Sequence, residues 1–253
     1  MLGSPGGAAP PRQAPDPPRL RLVAWNCCAG PLERKLARLA ALAPDLAVIP
    51  ECPRLPQSPG SHLWIGHNPR KGLGVIARPP WRIRRATRRT NLPRYLLPLR
   101  VTGPESFLLW AVWACHDGAD RYVRGTHRAV ASSRRLIGSA PTVMLGDFNS
   151  NAIWDHEHPA GLSHSALVRV LDGLGLVSAY HDHSGEPHGQ ERRPTFYEYR
   201  HAHRPYHLDY CFLPHAWAGR VTGVEVGAHA EWAGSSDHMP LIVDVAAPGA
   251  DRM

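Results

Sequence analysis

The stretch Thr142-Val143-Met144-Leu145-Gly146-Asp147-Phe148-Asn149-Ser150 constrains this chain most. Four residues suited to a buried strand run into a glycine, and a carboxylate and a carboxamide follow two positions apart. Alternate side chains of a strand share a face, which puts Asp147 and Asn149 on one side and Phe148 on the other. Gly146 gives the backbone a tight path where the strand leaves its sheet. An acid and an amide held together at a strand end suit activation of water and orientation of a phosphate. The rest of the sequence supplies candidate partners for that pair.

A length of 253 residues suffices for one large α/β domain. Pro, Gly and Ala dominate residues 1–18, which predicts a disordered leader before a domain at 19–246 and a short tail at 247–253. Leu20–Asn26 reads as a first strand with Asn26 at its end. Leu32, Leu36, Leu39 and Leu42 fall at helical spacing behind Pro31 and predict a helix to Ala43. Leu46–Ile49 is then a short buried strand that delivers Glu51. Strand, helix and strand thus bring Asn26 and Glu51 to neighbouring strand ends, where ligand groups gather in α/β sheets.

Strands over 62–66, 72–77, 81–87, 95–101 and 107–114, parted by Pro79-Pro80, Asn91 and Gly103-Pro104, predict an antiparallel meander. The last of them runs into His116. A helix over 126–137 leads to the Thr142 strand, and Ser163 caps a helix through Leu171. Leu176–Tyr180 reads as extended, and the polar stretch 181–194 as a mobile surface loop. Tyr206–Leu213 alternates as one strand carrying Asp209. After a strand at Val221–Val226, Asp237 and His238 sit in the polar turn that enters the last strand, Leu241–Val245.

The net charge of +8 comes from 29 basic and 21 acidic residues, and nearly all the basic ones are arginine. Arginine suits bidentate phosphate contacts, so the balance is compatible with anionic substrates. Arg82, Arg84, Arg85, Arg88, Arg89 and Arg94 concentrate in one stretch, which reads either as a phosphate-tracking face or as a solvated strand face. The cysteines Cys27, Cys28, Cys52, Cys115 and Cys211 are odd in number and form no C-x-x-C pair. They read as buried reduced thiols of a cytoplasmic protein. No window holds 18 uninterrupted apolar residues, so no membrane span is expected, and the N-terminus lacks the order of a secretory signal. His156-Glu157-His158, His181-Asp182-His183 and His201-Ala202-His203 have the H-x-H spacing that ligates zinc on a strand. They lie in polar loops without a fourth-ligand pattern.

GDFN at 146–149, SSDHMPL at 235–241, WN at 25–26 and LAVIPE at 46–51 together resemble the endonuclease/exonuclease/phosphatase superfamily, over residues 19–246. The resemblance implies an α/β fold, a four-layer sandwich of two mixed β-sheets flanked by helices, with each half of the chain supplying one sheet. It implies Mg²⁺ or Mn²⁺ held by Glu51 with Asn26 beside it, and Asp237 supporting the metal or its waters. Asp147 would orient or deprotonate the attacking water and Asn149 would bind the scissile phosphate. His238 would face that phosphate with its ring held by Asp209. His116 matches the place where pancreatic-type deoxyribonucleases carry a second histidine. A phosphodiester repels hydroxide, and a hard cation with oxygen ligands offsets that repulsion. Cys28 departs from the Asp or Asn that relatives often carry there, which weakens a second metal position. The expectation is a monomeric nuclease acting on DNA or RNA. The alternatives are a phosphatase or phosphodiesterase of a small molecule, and a catalytically silent binding module of the same fold.

Overall fold

A computed structural model describes residues 19–87, 92–118 and 120–248. The predicted leader at 1–18, Arg88, Arg89, Asn91 and the tail beyond Pro248 lie outside the described residues. In chain order the first strands are β1 (Arg19–Ala24), β2 (Leu46–Cys52), β3 (His62–Asn68), β4 (Lys71–Ala77), β5 (Arg82–Arg85), β6 (Leu96–Thr102) and β7 (Phe107–Trp113). A short pair, β8 (His116–Asp117) and β9 (Asp120–Arg121), precedes β10 (Thr142–Asp147) and β11 (Leu176–Ser178). A second short pair, β12 (Phe196–Tyr197) and β13 (Pro205–Tyr206), precedes β14 (Asp209–Pro214), β15 (Val221–Val226) and β16 (Leu241–Ala246). The helices are α1 (Leu32–Ala40), α2 (Val123–Ile137), α3 (His164–Asp172), α4 (Ala179–Ser184) and α5 (His229–Trp232).

Two six-stranded sheets result, in the orders β15-β16-β1-β2-β4-β3 and β11-β14-β10-β7-β6-β5. Each is mixed: β1–β2 and β7–β10 are parallel and the other pairs antiparallel. With helices around them they form the expected α/β sandwich, but the halves of the chain do not supply one sheet each. Strands β5, β6 and β7 leave the first sheet for the second, splitting the predicted meander after β4. The chain's end returns to its beginning, β16 pairing antiparallel with β1 from Arg19–Ala246 to Ala24–Leu241. That return matters for function, because it lays the Asp237-His238 turn beside Asn26.

Alternation along β10 builds both cores. Val143 and Leu145 join the large cluster between the sheets. Met144 and Phe148 join a second cluster under α2 and α3, with Val130, Ile137, Leu167 and Leu171. Each such side chain contributes about 1.5–3 kcal/mol relative to exposure.

Local departures from the sequence reading have local causes. Ser163 caps α3 as expected, its hydroxyl accepting from the Ala166 N–H at 3.3 Å. The extended run predicted to Tyr180 stops at Ser178, where β11 ends and the chain turns into α4. Residues 181–194 are therefore not a solvated loop throughout, for the side chains of His181 and Glu191 are 8% and 4% exposed. The single strand predicted over 206–213 breaks at His207-Leu208, because Thr195 Oγ1 accepts the N–H groups of both Leu208 and Asp209 at 2.9 Å. Exposed Arg82, Arg84 and Arg85 flank buried Ile83 on edge strand β5, a charged edge that discourages further strand pairing. Cys27, Cys52 and Cys211 are buried, whereas Cys28 and Cys115 are half-buried. Among the described residues no helix is long and apolar enough to cross a membrane.

Candidate active site

The site is built where the two sheets meet at one rim. Gly146 lies at φ +138°, and a Cβ there would stand 2.0 Å from the Val112 carbonyl oxygen. Only glycine lets β10 run against β7 as far as Asp147. Asn149 then turns left-handed, at φ +48°. This turn, not strand alternation, brings the pair together: Asp147 Oδ1 accepts the Asn149 N–H at 2.8 Å, and Asn149 Nδ2 donates to Oδ2 at 3.3 Å. Phe148 packs away from them, edge-on to Tyr210 at 5.6 Å.

The first sheet reaches this pair through Asn26. Trp25 N–H donates to Val48 O and Cys27 N–H to Pro50 O, so the chain keeps beside β2 past the end of β1. Asn26 Nδ2 donates across to Asp147 Oδ2 at 3.0 Å. Ser236, fully buried, donates its hydroxyl to Asn26 O at 2.7 Å and accepts the His238 N–H at 3.0 Å. Trp25 Nε1 donates to His238 O at 3.1 Å. The Asp237-His238 turn is thereby clamped to the strand end.

Asp147 and Asp209 stand opposite one another in the β10–β14 register. His238 Nδ1 donates to Asp209 Oδ2 at 2.8 Å, and its Nε2 lies 4.0 Å from Asp147 Oδ2. Burial raises the Asp147 carboxyl above its ordinary range, an effect opposed by the charge of His238. Burial alone would lower the His238 imidazolium, but the Asp209 and Asp147 charges reverse this and raise it to about 9. The result is a carboxyl group kept from full ionisation beside an imidazolium kept charged.

The Endonuclease/Exonuclease/phosphatase family model matches residues 23–238. The chain belongs to this family. Solved structures of similar fold include the endonuclease domain of TRAS1, a telomere-specific non-LTR retrotransposon. It has a TM-score of 0.66 and 17% identity, with 91% of this chain and 99% of that one covered. The 3′ phosphatase NExo from Neisseria, solved with a product DNA hairpin, has a TM-score of 0.63 and 18% identity, covering 89% and 99%. The AP endonuclease LMAP from Leishmania major has a TM-score of 0.67 and 13% identity, covering 93% and 90%. Among curated proteins none matches in sequence. Family membership supports hydrolysis of phosphoesters, and these neighbours share the fold.

Members of the Endonuclease/Exonuclease/phosphatase family are generally divalent-metal dependent, and the donors on the rim suit a hard cation. Glu51 lies at φ +55° within a register irregularity of β2 and lines a cleft of about 430 Å³ with Asn149, His116, Tyr95 and Arg94. Asn26 and Asp237 add oxygen donors, although Asn26 Oδ1 already accepts the Cys28 N–H at 3.0 Å. Lys71 Nζ stands 3.0 Å from Glu51 Oε1 and competes for that carboxylate. Among the described residues no trio of His, Cys, Asp or Glu including Glu51 or Asp237 converges. The trio that converges at this rim is Asp147, Asp209 and His238, already bonded to one another. Such a rim fits an ion held by few protein oxygens and several waters, as Mg²⁺ allows. Cys28, in the family's Asp or Asn position, stays protonated: burial, then the Asp237 charge, push its thiol up.

The structure thus joins Asn26, Asp147, Asn149, Asp209 and His238 in one network. It sets Glu51 and exposed His116 on the cleft wall beside Asn149, with the His116 ring edge-on to Tyr122 at 6.4 Å. Asp237 lies beside Cys28, and its charge acts on His238 as well. Sequence reasoning missed Thr195, Ser236 and Lys71. Ser236 had a signal in its motif, whereas Thr195 and Lys71 had none.

Proposed function

We infer that this chain is a nuclease that hydrolyses phosphodiester bonds of DNA or RNA, with Asp147 accepting the proton of the attacking water. The observation that carries this reading is the buried network running from Asn26 through Asp147 and His238 to Asp209. Asn26 and Asn149 fix the Asp147 carboxylate by their donors and leave it only proton acceptance to perform. The His238 imidazolium stabilises charge gathering on the phosphate oxygens, and Asp209 keeps its ring oriented. The Asn149 carboxamide, at the cleft, holds the scissile phosphate. Glu51, with Asn26 and Asp237, would hold Mg²⁺ or Mn²⁺, which supplies polarisation of a phosphoryl oxygen and support of the leaving oxygen.

A polymeric substrate is supported by a row of half-buried rings leading to His238. Trp154 and Tyr206 are 5.0 Å apart, Tyr206 and Phe196 6.3 Å, and Phe196 and His238 4.7 Å. Aromatic rows of this kind stack bases without regard to sequence. The Neisseria neighbour's DNA hairpin is consistent with such a substrate.

The deciding experiment offers plasmid DNA, an abasic oligonucleotide, RNA and bis-p-nitrophenyl phosphate to the protein with Mg²⁺ or Mn²⁺. Cleavage of nucleic acid without turnover of the small ester is expected. The reverse would make the protein a small-molecule phosphoesterase, and oligonucleotide binding without cleavage would make it a silent binding module. Glu51→Gln should weaken Mn²⁺ binding; titrations identical to the parent would remove Glu51 as a ligand.

A further inference from the structure

Behind the β10–β14 pair lies a second cluster of histidines that the proposed reaction does not use. His181 belongs to α4, His188 and Glu191 to the segment after it, and His164 to α3. The rings of His181 and His188 stack with centroids 3.4 Å apart and planes 14° from parallel. One ring nitrogen of each, together with a Glu191 carboxylate oxygen, lies within 4.8 Å of the others. His181 Nε2 is already 3.1 Å from Glu191 Oε1.

We propose that His181, His188 and Glu191 form a structural site for a borderline transition metal, Zn²⁺ in the first instance. Two imidazoles and one carboxylate are a three-ligand set that leaves a fourth position for water. Zinc about 2.0–2.1 Å from each donor would set those donors about 3.4 Å apart, and because the two rings stack nearly parallel one imidazole must also rotate to bring its lone pair onto the ion. The outer nitrogens are already tied down. His181 Nδ1 is 2.7 Å from Ser178 Oγ, and His188 Nδ1 is 3.1 Å from His164 Nε2, which continues to Ser150 Oγ at 3.0 Å. Partners of this kind fix the tautomer of a metal-bound imidazole. Glu191 Oε1 is held in place by the Gly189 N–H at 3.0 Å and Asn151 Nδ2 at 3.1 Å. Nearby, His207 Nε2 is buried with no hydrogen-bond partner among the described residues, a further sign of imidazole in excess of the available acids.

The same surroundings keep the His188 and His164 rings neutral. Burial, then the neighbouring imidazole, lowers His188 to about 2, and burial lowers His164 to about 4. A metal here would tie the 179–193 segment to Ser150 and Asn151, the residues directly after Asn149.

The test starts from protein stripped with a chelator, then loaded with ZnCl₂, desalted and analysed for zinc in the presence of excess Mg²⁺. The wild type should retain one zinc and melt at a higher temperature with it. His188→Ala and Glu191→Gln should each lose both the zinc and the shift, while Asp147→Asn keeps them. Cobalt loaded in place of zinc should give the intense visible bands of a tetrahedral site. That readout needs no variant and serves if His188→Ala fails to fold. No retained zinc in the wild type, or retention undiminished in Glu191→Gln, would overturn the proposal.

Discussion

Buried imidazoles lie on both sides of the same strand pair, and His238 holds a charge state opposite to that of His188 and His164. His238 faces three carboxylates, Asp209, Asp147 and Asp237, and stays protonated to about pH 9. His164, His181, His188 and His207 gather around Glu191, and burial lowers His188 to about 2 and His164 to about 4. Burial acts on both groups alike. What differs is the number of acids per imidazole: three carboxylates hold His238 charged, whereas fewer leave His188 and His164 neutral.

The largest effect should come from removing an acid on the charged side. Asp147→Asn should lower phosphodiester turnover by roughly 10²-fold or more, measured at matched folding, because a general base is worth on the order of 10²–10⁴-fold. An unchanged rate would deny Asp147 that role. Asp209→Asn strips His238 of its hydrogen-bonded partner, and breaking a buried ion pair costs about 3–5 kcal/mol. The variant should denature at lower urea, and the alkaline fall of its pH–rate profile should move down from about 9. A profile that kept its alkaline limb would mean His238 owes its charge to another group.

Acid should then act on the neutral side. His188 and His164 are lowered from an ordinary 6.5, so below that pH the unfolded chain binds more protons than the folded one. The urea midpoint should drop as pH falls from about 6.5, and His188→Gln should flatten the slope. His238 has the opposite sign, its stabilisation present below 6.5 and lost as pH rises through about 9. A midpoint flat between pH 4 and 6.5 would contradict neutral burial of the cluster. The smallest effect is expected from Lys71→Met, which frees Glu51. The Lys71 ammonium is 45% exposed, and such a pair is worth about 0–1 kcal/mol, so Mn²⁺ binding should tighten by at most about 5-fold.

Much of the site could be read from strand ends. Asp147, Asn149, Glu51 and Asn26 each follow an apolar run, and a polar group placed directly after such a run must emerge at a sheet's edge. The pairing of Asp209 with His238 came only through resemblance, since 28 residues that include β15 and α5 separate them. The H-x-H spacing of His181 and His183 does not bring those two rings together, because on a helix positions two apart face opposite ways. His183 is exposed, and the groups that contact the His181 ring, His188 and Glu191, arrive after the chain reverses at Gly185, φ +71°.

Strand positions, the glycine that lets β10 approach β7, and the polar groups at the rim are written locally, because apolar alternation and backbone sterics act over a few residues. The order of strands in each sheet, the Thr195 and Ser236 clamps, and above all the charge of every buried histidine are not. A proton's affinity depends on how much water is excluded and how many carboxylates stand within a few ångströms. Only the folded chain brings those groups together from distant segments.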